Sequence, residues 1–118
     1  MEFILTFHQP ADIYEKHQKP ETSVPILQAW QLYMDAMAAE GVLRGGARLN
    51  ALAGSTVTER DGKREVQDGP FAETKDLLGG YVLLDVPSRE EAVKWAARAP
   101  STLVGSTSVW PVIPRPAQ

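Results

Sequence analysis

Acid–base chemistry in this sequence is sought first at its two histidines, His8 and His17, because imidazole alone titrates near neutrality without help from its surroundings. His8 closes the apolar stretch that begins at Phe3, at a point where a strand would leave its sheet. Asp68 closes another extended run. A carboxylate within hydrogen-bond reach of His8 would orient the imidazole and stabilise its charged form, so His8 as base and Asp68 as its orienter form the candidate catalytic pair. The competing reading makes Asp68 a turn residue bonded to nearby backbone and His8 a partly exposed strand end. His17 lies in Glu15-Lys16-His17-Gln18-Lys19, which reads as a solvated loop.

Arg44, beside Gly45-Gly46, and Lys75 are the candidates for holding an anionic ligand. Trp30, Tyr33 and Phe71 are the candidates for contacting a planar one, with Tyr81 as a further aromatic wall. Trp30, Tyr33 and Tyr81 also suit core positions. No metal is expected, since His8, Asp12 and His17 reproduce no recognised ligand spacing. Neither Gly45-Gly46 nor Gly79-Gly80 matches a phosphate-cradling loop, and no cofactor is expected.

These residues must be positioned by a small set of elements. Phe3 to His8 alternates as a strand, with Phe3, Leu5 and Phe7 on one side and Ile4, Thr6 and His8 on the other. The stretch Ala11 to Ser23 reads as irregular. Leu27, Trp30, Met34 and Met37 recur at helical spacing, with Thr22 or Ser23 as the cap, Pro25 in the first turn and Gly41 at the end. A second extended segment covers Leu43 to Leu49. Asp61-Gly62, between two polar arms, signals a tight hairpin that projects into solvent. Asp68-Gly69-Pro70-Phe71 then stops the strand, because Pro70 lacks an N–H and holds Gly69 extended. Tyr81 to Val86 is apolar on both faces and reads as a central strand. Ser88 with Glu91 forms a capping box for a helix around Trp95, and Thr107 to Ile113 supplies the last strand.

The order β, α, β, hairpin, β, α, β suits one α+β domain over residues 1–118, a ferredoxin-like protomer whose antiparallel sheet carries two helices on one face. The other face would be bare and apolar. A homodimer with sheets packed face to face is therefore expected.

Composition narrows the function classes. A net charge of −3, with Lys and Arg scattered along 118 residues, offers no stripe for a phosphate backbone, so no nucleic acid is expected as a partner. The absence of cysteine removes thiolate nucleophiles, disulfides and iron–sulfur clusters. Met1-Glu2-Phe3-Ile4-Leu5 has neither the basic nor the long apolar stretch of a signal peptide, and no membrane span is visible. A cytoplasmic location is expected.

The segments Ala29 to Met34, Gly41 to Gly46, Val66 to Lys75 and Leu78 to Tyr81 resemble the YCII-related family, in particular the branch named for the Asp-Gly-Pro-Phe motif. The resemblance spans nearly the whole chain. It implies a bacterial, dimeric α+β barrel. It also implies relatives similar to muconolactone isomerases, some acting on small aromatic or lactone compounds through a His and Asp pair, and branch members associated with extracytoplasmic-function sigma factors. The catalytic His of the wider family lies early in the first helix, where Val24 to Tyr33 carries none, so that pair does not carry over. Two functions follow as expectations. The first is a small-molecule binding or sigma-factor-associated signalling module with a protein partner. The second is an isomerase- or lyase-like enzyme acting on an anionic or aromatic substrate through His8 and Asp68.

Overall fold

Alternating hydrophobicity makes β1, Glu2–Pro10, a two-sided strand: Phe3, Leu5, Phe7 and Gln9 are buried, whereas Ile4, Thr6, His8 and Pro10 are half-buried. The computed structural model describes residues 1–69 and 75–116. After β1 come α1 (Ala11–Lys16), α2 (Pro20–Ala39), β2 (Leu43–Arg48), β3 (Ser55–Arg60), β4 (Lys63–Asp68), β5 (Asp76–Asp85), α3 (Arg89–Ala97), α4 (Ser101–Val104) and β6 (Ser106–Pro111). β2, β5, β1 and β6 lie in that order in one sheet, with β3 and β4 forming a separate hairpin. The three pairings of the main sheet are all antiparallel. This is an α+β, ferredoxin-like protomer.

One face of the sheet holds the core. Phe3, Leu5, Phe7, Val82 and Leu84 meet Tyr33 and Met37 of α2 and Ala92, Trp95 and Ala96 of α3. The Tyr33 hydroxyl donates to the Trp95 carbonyl at 2.7 Å, tying the two helices together, and burial pushes this phenol well above its ordinary range. Ser88 caps α3 as the sequence predicts, its hydroxyl accepting from the Glu91 amide at 3.3 Å. Asp61 and Gly62 both take positive φ, 51° and 78°, as a primed two-residue turn requires.

The segment before α2 departs from expectation. Ala11 to Ser23 is largely helical rather than irregular, because α1 occupies its first half and α2 starts at Pro20. Pro20 is well suited to the first helical position, having no N–H to leave unpaired. Lys19, not Thr22 or Ser23, is thus the capping position. The Thr22 hydroxyl instead donates to the Lys16 carbonyl at 2.6 Å, bracing α1 against α2. Gly69 also differs, with φ of 79° rather than an extended value, while Pro70 and Phe71 lie outside the described residues.

The opposite face of the sheet has no layer over it among the described residues. Cα positions span only 19 Å along the thinnest direction against 50 and 45 Å along the others. Leu78, Tyr81 and Trp110 are 42%, 37% and 56% exposed there. No helix among the described residues is long and apolar enough to cross a membrane.

Candidate functional site

A cleft opens between α1, the middle of α2 and the β2–β5 edge of the sheet. Its volume is about 800 Å³, within the roughly 300–1,000 Å³ usual for small-ligand sites. Phe7, Leu27, Trp30 and Met34 give it apolar walls, and Gln9, Tyr14, His17, Arg48 and Asn50 give it polar groups. Trp30 stands edge-on to Phe7 with ring centroids 4.8 Å apart, so the aromatic wall is continuous with the core.

A bulge in β5 shapes the floor. Phe7 pairs with Gly80 but His8 pairs with Leu78, which leaves Gly79 as the extra residue. Tyr14 fills the space above that glycine. Its hydroxyl donates to the Leu77 carbonyl at 2.9 Å, and the Gly79 carbonyl accepts from the Leu49 amide, also at 2.9 Å, which anchors the loop after β2 over the cleft. Burial pushes the Tyr14 phenol up; hydrogen bonding at Gln9 pulls it partly back, and the Asp76 carboxylate adds to the rise.

His17 follows the last turn of α1 and sits edge-on to Tyr14, with ring centroids 5.6 Å apart. Its Nε2 is buried and has no hydrogen-bond partner among the described residues. Burial lowers the imidazole below its usual 6.5, and the positive charge of Arg48 lowers it further. The ring is therefore neutral at pH 7. In the tautomer carrying its hydrogen on Nδ1, the buried Nε2 keeps a lone pair that no described residue uses.

The residues singled out from sequence are scattered by the fold. The expected pairing of His8 with Asp68 is not seen: among the described residues each has other partners, and no hydrogen bond or ion pair joins the two. His8 lies on the face of the sheet away from the helices, its Nε2 2.9 Å from the Thr6 hydroxyl, which also accepts from the Trp110 indole at 3.1 Å. Asp68 is held by its own hairpin, accepting from the Ser55 hydroxyl at 2.7 Å. Arg44 sits at the far end of the sheet from the cleft, donating to the Gly41 carbonyl at 2.7 Å and pairing with Asp85 at 3.8 Å. Lys75 is exposed at the start of β5. Trp30 lines the cleft; Tyr81 borders it from β5 but pairs with Thr6 and shares that residue's open face of the sheet; Tyr33 is core, and Phe71 lies outside the described residues.

His17, which reads from the sequence as a solvated-loop residue, and Arg48, which the sequence does not single out, both line the cleft. Tyr14 and His17, three apart after Pro10, were the available signal, since that spacing puts both on one face of a helix that a proline introduces. Arg48 carried none. Among the described residues no group of three or more His, Cys, Asp or Glu could hold a metal ion.

Comparison with known proteins places this architecture. The family model for the YCII-related domain matches residues 3–115. The chain belongs to the YCII-related domain family. Within curated proteins, this YCII-related chain is 46% identical over 44 residues to an uncharacterized protein of Rhizobium meliloti (strain 1021), a match covering 37% of this chain and 36% of that protein. The aligned part thus spans about a third of that relative's length. Among solved structures, 5-chloro-2-hydroxyhydroquinone dehydrochlorinase of Burkholderia phenoliruptrix AC1100, in complex with 2,5-dihydroxybenzoquinone, is similar with a TM-score of 0.57. That alignment covers 96% of this chain and 94% of the other at 16% identity, a likeness of fold.

Proposed function

We propose that this YCII-related domain is a small-molecule enzyme that moves a proton on a planar, oxygen-bearing aromatic ligand held in the cleft, with His17 as general base. The observation that carries the reading is the buried, unpartnered Nε2 of His17 in a cleft walled by Trp30. A polar atom removed from water without a partner costs about 1–3 kcal/mol, so such an atom on a residue that lines a cleft suits a site that a ligand completes. The dehydrochlorinase of similar fold, bound to a dihydroxybenzoquinone, supports the ligand class by analogy. His17 replaces His8 and Asp68 as the centre of this proposal. The test is to incubate the protein with hydroxylated and chlorinated hydroquinones and follow ultraviolet–visible spectra. Turnover of one of them is expected. Binding without turnover across the panel would return the domain to a sensing or sigma-factor-associated role.

We also propose that the open sheet face is covered by a second copy of the chain. Leu78, Tyr81 and Trp110 expose on that face a patch that a partner sheet would bury. Trp110→Asp places a charge on the β6 side of this patch and is expected to convert a dimer into a monomer by light scattering. A wild-type monomer would sink the idea.

A further inference from the structure

Arg48 is the last residue of β2 and lines the cleft opposite α1. It forms no ion pair among the described residues, unlike Arg44, which Asp85 holds. Resting on the reading of the cleft as the ligand site, we infer that Arg48 selects a ligand with an acidic ring hydroxyl and binds it as the oxyanion, while His17 keeps the proton. The ligand's O–H bond breaks, its electron pair stays on oxygen against the guanidinium, and the proton moves to Nε2 of His17. No electron leaves the ligand and no proton reaches solvent.

The electrostatics make the two residues one device. Burial first, and then the positive charge of Arg48, disfavour the charged form of His17 and so favour the free base. An oxyanion between them cancels that repulsion and adds an attraction, so the imidazolium becomes the favoured form only when the ligand is in place. The charged and titratable groups around the ring are few. Tyr14 faces it from α1 and Arg48 acts from β2. Asp76 of β5 acts on Tyr14, and the cleft residues of α2, Leu27, Trp30, Gln31 and Met34, are uncharged. A neutral aromatic of the same shape would use the apolar walls but neither charge.

Para-nitrophenol reads out both halves of this inference, because its phenolate alone absorbs in the visible. At a pH where the free phenol is mostly protonated, wild-type protein is expected to bind it and raise the phenolate band. Equilibrium dialysis gives the affinity separately. Arg48→Met should weaken the probe roughly tenfold, the scale of one lost charge-assisted hydrogen bond, and abolish the band. Para-nitroanisole, which has no proton to give, should bind both proteins alike, and Arg48→Lys should restore part of the band. A probe bound as the neutral phenol, or bound equally by Arg48→Met, overturns the role of Arg48. Failure of both compounds to bind the wild type overturns the cleft as the ligand site, and this inference with it.

Discussion

His17→Gln is expected to lower kcat/KM by about a hundred- to ten-thousandfold, the range that a positioned general base contributes, while thermal unfolding moves little. Glutamine keeps the length and polarity of the side chain but has no basic lone pair in the working range. The wild-type imidazole is held below 6.5 by burial and by Arg48. Activity that needs the free base is therefore full above pH 6.5 and lost as pH falls through the lowered folded value; the variant should be slow and flat across that window. Stability follows the same sign. Between the lowered folded value and 6.5 the unfolded chain binds more protons, so wild-type stability falls as pH drops from about 6.5 and His17→Gln removes that slope. An equal loss of activity in His8→Gln, with His17→Gln still active, would move the chemistry to the other face of the sheet.

Gly79→Ala is expected to cost about 2–4 kcal/mol and to weaken ligand binding more than tenfold. A Cβ at this bulge would overlap the Tyr14 phenol, with Cζ only 2.6 Å away. Tyr14 is buried and bonded to Leu77, so it cannot yield without cost. Overpacking of this kind costs about 1–3 kcal/mol, and breaking the Tyr14 bond adds roughly 1 kcal/mol. A displaced Tyr14 ring disturbs its edge-on packing with His17, and both residues line the cleft. Urea unfolding and dialysis of a bound ligand measure the two effects on one variant. Unchanged values in both would show that Tyr14 is not fixed by the bulge.

The parts of the fold governed by local chemistry were legible in the sequence. Asp61-Gly62 demanded a primed turn, Ser88 with Glu91 announced a helix start, and the alternation of Phe3, Leu5 and Phe7 against Ile4, Thr6 and His8 assigned the faces of β1. That same alternation already placed His8 on the side opposite the core, which argued against it as a partner for a cleft under the helices. The site itself was less visible. α1 is six residues long, too short for a hydrophobic period to stand out. It is fixed by contacts with β5 more than 60 positions away, through the bond from Tyr14 to Leu77 and the gap above Gly79. His17 owes its burial to those contacts, and the residues around it, Glu15, Lys16, Gln18 and Lys19, gave it the look of a solvated loop. Arg44 and Arg48 share one short strand, and only the tertiary structure separates the one held by Asp85 from the one facing the cleft.

Whether His17 is a base that meets the ligand is tested most directly by an NMR pH titration of its ring with and without para-nitrophenol, the two histidine signals being assigned through His8→Gln. His17 is expected to titrate below 6.5 in the free protein and to move upward when the ligand is bound. A His17 ring whose titration is the same with and without bound ligand would contradict that role.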